Sequence, residues 1–113
     1  MTFKVKTTAA GLRNVSVEIS GWLPRDDRFS LIASNHPALK ITSFLFLIQE
    51  KAGLYLWWDK EGNDLILPLE SRGAFKLEVG MKSPEGWDGV IWAQAFKTDQ
   101  EDKAFLLLMD FDK

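Results

Sequence analysis

An antiparallel, all-β fold is what this sequence predicts, and three features point to it. Apolar, β-branched and aromatic residues come in short runs, turn signals stand at the breaks between runs, and the breaks are mostly too short for parallel crossovers. The expected architecture is one domain over residues 1–113, a β-sandwich of roughly seven or eight strands, with a flattened meander barrel as the alternative.

The elements follow in order. Phe3 and Val5 begin a brief alternation, and Ala9-Ala10-Gly11 can turn it back on the next run. Asn14 to Ser20 alternates clearly, with Val15, Val17 and Ile19 on one face and Ser16, Glu18 and Ser20 on the other, as a half-buried strand does. Arg25 to Asn35 reads differently. Asp26 suits an N-cap, Phe29, Ile32 and Ala33 share a helical face, and Asn35-His36-Pro37 is a stop, so a short helix is expected near residues 26–35.

Leu39 to Gln49, Leu54 to Trp58, Asp64 to Leu69, Ala74 to Val79 and Val90 to Phe96 read as strands. Between them lie Glu50-Lys51-Ala52-Gly53, Lys60-Glu61-Gly62-Asn63, Ser71-Arg72-Gly73 and the longer Ser83 to Gly89, all rich in turn residues. Their shortness implies antiparallel neighbours in sequence order. Residues 98–113 carry two patterns. Thr98-Asp99-Gln100-Glu101 fits a helix capping box, whereas Phe105, Leu107, Met109 and Phe111 alternate as in a strand, and the alternation is the stronger. Phe44 to Ile48 and Ala104 to Met109 are apolar on both faces, which favours the sandwich over the barrel.

Composition narrows the function classes. Hydrophobic residues are 46% and charged residues 27% of the chain, the balance of a globular domain. Without cysteine there is no disulfide framework and no thiolate for zinc, and no signal-peptide h-region opens the chain, so a reducing, cytoplasmic setting is expected. No apolar run nears the ~20 residues that span a bilayer, so no membrane role is expected. A net charge of −2 with scattered Lys and Arg gives nucleic acid no electrostatic footing.

Catalytic and metal motifs are sparse. His36 is the only histidine, stands before Pro37, and has no nucleophile elbow to serve. Asp26-Asp27, Asp99 with Glu101 and Asp102, and Asp110 with Asp112 are carboxylate groups, of which only the last shares a strand face. Asp59 to Asp64 faintly resembles a calcium loop but lacks its spacing and terminal glutamate, and a polar hairpin turn explains it more simply. No cofactor and no metal are expected. Asn14-Val15-Ser16 fits the glycosylation pattern but falls inside a strand.

The five tryptophans are the unusual feature. Trp57 and Trp58 are neighbours on a strand and must point to opposite faces, while Trp92, within an apolar run, is expected in the core. Trp22 and Trp87 each follow a glycine at a break, close to charged residues. Trp22, Trp58 and Trp87, with Arg25 and Asp88, are therefore the candidate binding residues; the competing role for Trp22 and Trp87 is as lids over open ends of the sandwich.

The class this leaves in front is a non-catalytic binding or protein-interaction module (an inhibitor, immunity-type protein or assembly subunit), with a protein partner or a second copy in a homodimer. A sugar or small apolar ligand held by the tryptophans is the alternative, and a small carboxylate enzyme comes third. Self-association is expected because the doubly apolar runs Phe44 to Ile48, Leu54 to Trp58 and Phe105 to Met109 leave outer faces in need of cover.

Overall fold

The computed structural model describes residues 3–10, 14–23, 28–34, 38–96 and 103–112. Among them are nine strands: β1 (Phe3–Ala10), β2 (Asn14–Trp22), β3 (Phe29–Ala33), β4 (Lys40–Ile48), β5 (Gly53–Trp57), β6 (Leu65–Glu70), β7 (Arg72–Lys82), β8 (Val90–Phe96) and β9 (Ala104–Asp112). They form a five-stranded sheet, β1-β2-β9-β4-β7, and a four-stranded sheet, β3-β8-β5-β6. Every strand pair among the described residues is antiparallel. The two sheets are not joined into a closed ring, so the β-sandwich stands and the barrel does not.

Alternation decides which face each strand buries. Val17 and Ile19 of β2 point inward, as do Phe105, Leu107, Met109 and Phe111 of β9, each 4% exposed or less. Phe44 and Ile48 of β4 and Leu54 and Leu56 of β5 meet them in one core cluster with Ile91, Ala93 and Leu69. β4 and β9 lie inside their sheet, each with a strand on either side. The C-terminal segment is strand β9, as its alternation indicates.

Two expectations are corrected. The segment expected as a helix near 26–35 contains strand β3, paired with β8, and no helix occurs among the described residues. A register shift between Ser30 and Ile32 lets consecutive Leu31 and Ile32 both enter the core. Such a bulge breaks the period of two and leaves a spacing that mimics a helical face. With β3 the described residues hold nine strands, close to the roughly seven or eight expected.

Short connections also do not always join neighbours. Among the described residues only β1–β2 and β5–β6 are hairpin pairs. Gln49 to Ala52 carries the chain from one sheet to the other, with Lys51 at φ 62°, and Ser71 alone, at φ 66°, switches it between β6 and β7. Left-handed backbone at a single residue redirects the chain sharply enough to change layers. Arg25, His36 and the carboxylates Asp26, Asp27, Asp99, Glu101 and Asp102 lie outside the described residues. No helix of the described residues is long and apolar enough to cross a membrane.

Candidate functional site

Three surfaces gather the residues of interest. The first is a cleft of about 410 Å³ lined by Trp58, Asp59, Glu61, Asp64, Glu85 and Trp87, among others, with Asp88 on its rim. It brings together three of the candidate binding residues. Trp58 shares parity with the inward Leu54 and Leu56 and is only 5% exposed, so its indole belongs to the core. Trp87 lies across it, ring edge to face at 5.4 Å between centroids, and its Nε1–H donates to the Val90 carbonyl at 2.8 Å. Asp88 is exposed, and its carboxylate accepts the Val90 N–H at 2.9 Å. Trp87 thus rests half-buried on Trp58.

On the far side of this cleft the Asp59 carboxylate organises the β5–β6 turn. It accepts the Asn63 N–H at 2.9 Å and the Asp64 N–H at 2.8 Å. Those donors, Asn63 foremost, together with nearby Arg28, hold its pKa below the usual carboxylate value, against a smaller opposing effect of desolvation. Among the described residues no group of His, Asp or Glu side chains is arranged to hold a metal ion.

The second surface is the outer face of the four-stranded sheet. Trp92, expected in the core, is instead half-buried here: Ile91 and Ala93 take the inward positions, and parity turns Trp92 outward opposite Trp57. Tyr55 stacks on Phe96 at 4.2 Å and neighbours Trp57 at 6.0 Å. The Arg28 guanidinium sits 5.6 Å from the Trp57 ring and the Lys60 ammonium 5.7 Å from Trp92. The two indole N–H groups are buried with no acceptor among the described residues. These cations cover the ring faces that a sugar would stack on.

The third surface is the outer face of the five-stranded sheet, where the register places side chains in rows across β2, β9, β4 and β7. One row reads Ser20, Leu106, Leu47, Arg72; the next reads Glu18, Leu108, Leu45, Ala74. Then follow Ser16, Asp110, Ser43, Lys76, and Asp112, Lys40, Lys82. Leu45 is 45% and Leu47 52% exposed, and Trp22, opposite Ala104 at the head of the rows, is 53% exposed. Beside them lies an open groove of about 710 Å³ between the starts of β9 and β7 and the end of β4, with Leu47, Ser71, Arg72 and Leu106 in its lining.

The polar end of this face is closed on itself. Ser16 and Ser43 hydroxyls donate to the two oxygens of the Asp110 carboxylate at 2.5 and 2.6 Å, and Lys40 lies 3.8 Å from Asp112. Asp110 and Asp112 do share a face, but each is engaged by neighbours in the sheet.

Of the candidate binding residues, then, Trp58, Trp87 and Asp88 meet at one cleft, Trp22 stands apart on the other sheet, and Arg25 lies outside the described residues. Leu45, Leu47, Leu106 and Leu108 were not singled out individually from sequence. The parity of β4 and β9 carried the signal, because only alternate members of each apolar run can face one core. Comparison with protein-family models, curated proteins and solved structures found no match to this chain.

Proposed function

We propose that this chain is a non-catalytic interaction module whose working surface is the outer face of the five-stranded sheet, and that it pairs there with a second copy of itself. One observation carries the reading: Leu45 and Leu47 stand about half exposed in register with Leu108 and Leu106, on two adjoining strands that are each flanked by strands on both sides. A soluble chain rarely leaves such a block open to water.

The available area agrees with self-pairing. Strands ~4.8 Å apart, rising ~3.3 Å per residue, give the four-strand face about 20 by 30 Å. That is about 600 Å² per copy, the low end of specific interfaces, so micromolar rather than nanomolar affinity is expected. The sugar or small-ligand alternative has less support, because Trp58 is covered by Trp87 and the outward rings of Trp57 and Trp92 are covered by cations.

Leu47→Asp tests the reading, since it places a charge in the apolar row without touching the core. In size-exclusion chromatography at about 100 µM, in the concentration range that interfaces of this size require, the unmodified chain should elute as a dimer and the variant as a monomer with an unchanged thermal midpoint. Identical elution of the two would remove the face from consideration.

A further inference from the structure

We infer that the two copies are related by a two-fold axis lying parallel to the strands and between β9 and β4, so that Trp22 of each copy enters the groove beside Leu47 and Arg72 of the other. This rests on the self-pairing proposed above and specifies its geometry. A closed pair of identical faces must be isologous, with the axis in the plane of the interface, and two orientations keep the strands aligned: along the strands or across them.

An axis along the strands keeps every row at its own level and exchanges its ends. Leu106 then lies over the partner's Leu47 and Leu108 over the partner's Leu45, so the apolar block covers itself completely. In the row below, Asp110 faces the partner's Ser43, and in the last row Asp112 faces the partner's Lys40. Glu18 lands over the partner's Ala74, between the partner's Arg72 and the partner's Lys76 along the same strand. Opposite charges therefore meet at the rim of an apolar centre, the arrangement that stabilises and orients an interface. Lys4 and Lys6 of β1 occupy register positions outside the four-strand overlap.

Trp22 supplies the second match. It stands on β2 at the level of Ala104, and Gln49, just past the end of β4, reaches that same level, its N–H donating to the Ala104 carbonyl. Exchanging β2 with β7 at constant height carries the exposed indole to the Ser71 and Arg72 side of the other copy, where the groove opens. A large aromatic side chain entering an apolar-floored recess is the usual anchor of an interface.

An axis across the strands serves the face less well. Centred on the leucine rows, it lays Leu106 over the partner's Leu108, but it also sets Asp110 on the partner's Ala104 and Trp22 on the partner's Ser16, away from any recess. Shifted by one row, it stacks Arg72 on the partner's Lys76 and Leu106 on the partner's Asp110. The first takes Trp22 away from the groove, and the second confronts like charges.

The absence of cysteine makes the test direct. Two single-cysteine variants, Glu18→Cys and Ala74→Cys, are treated with a bismaleimide of about 10 Å span, the distance between stacked sheets. The inferred axis predicts cross-linked dimer when the variants are mixed and little from either alone. Trp22→Ala should in addition raise the dimer dissociation constant about tenfold or more, as loss of an anchor does. Cross-linking of Glu18→Cys with itself, in a chain that is dimeric by mass, overturns the axis while leaving the self-pairing intact. A monomeric mass for the unmodified chain overturns the self-pairing first.

Discussion

Removing the lid tryptophan should cost a calculable amount of stability. Trp87 is half-buried against the core, pairs edge to face with Trp58 at 5.4 Å and donates one hydrogen bond to the Val90 carbonyl. The ring pair is worth about 0.5–1.5 kcal/mol and the hydrogen bond about 0.5–1.5 kcal/mol net. Adding about 1 kcal/mol for the buried part of the ring, Trp87→Ala should destabilise by about 2–4 kcal/mol. Trp58→Ala, in a side chain only 5% exposed, should cost more, about 3–5 kcal/mol.

Because the rings touch, the double variant should lose about 1 kcal/mol less than the sum of the singles. Urea unfolding measures all three, read from the midpoint at constant m-value. A Trp87→Ala loss under about 0.5 kcal/mol with additive behaviour would mean that the indole does not rest on Trp58 in solution, and the cleft would then be open to a ligand.

The depressed pKa of Asp59 makes a pH prediction. A carboxylate whose folded pKa lies below its unfolded value stabilises the fold above that unfolded value, near 4, and the contribution disappears as pH falls through the lowered folded value. Asp59→Asn should therefore lose less stability than the unmodified chain on acidification below about pH 4; parallel pH curves would contradict the assignment. At Gly53 an added Cβ would overlap the Phe96 ring lying over it, so Gly53→Ala should lower the thermal midpoint by about 4 °C or more and disturb the Tyr55–Phe96 stack. An unchanged melt would show that the ring moves aside freely.

The fold was legible wherever alternation was unbroken. β2 and β9 announce their buried faces in sequence, because Val17, Ile19, Leu107 and Met109 keep a strict period of two. β3 was not legible, since its bulge puts Leu31 and Ile32 side by side in the core and so erases that period. The sheet-switching turns at Lys51 and Ser71 were equally hidden: their length is that of a hairpin, and only the positive φ distinguishes them.

The tryptophans show the same limit. That Trp57 and Trp58 face opposite ways follows from adjacency, and parity with Leu54 and Leu56 assigns Trp58 inward. Trp92 was misplaced because its apolar neighbours suggested a core, although those neighbours are the residues that occupy the core and turn it out. The apolar surplus of the β4 and β9 runs was visible, but which leucines stand exposed depended on the pairing of those two strands, a contact between residues some 60 positions apart.

The most direct test of the central claim is the molar mass of the unmodified chain by light scattering over a dilution series from about 1 to 200 µM, which brackets the affinity expected of a small interface. The mass should rise from that of one 12.9 kDa chain towards twice that value, and no further, because a two-fold pair closes on itself. A mass that stays at one chain throughout, or one that grows without limit, would contradict it.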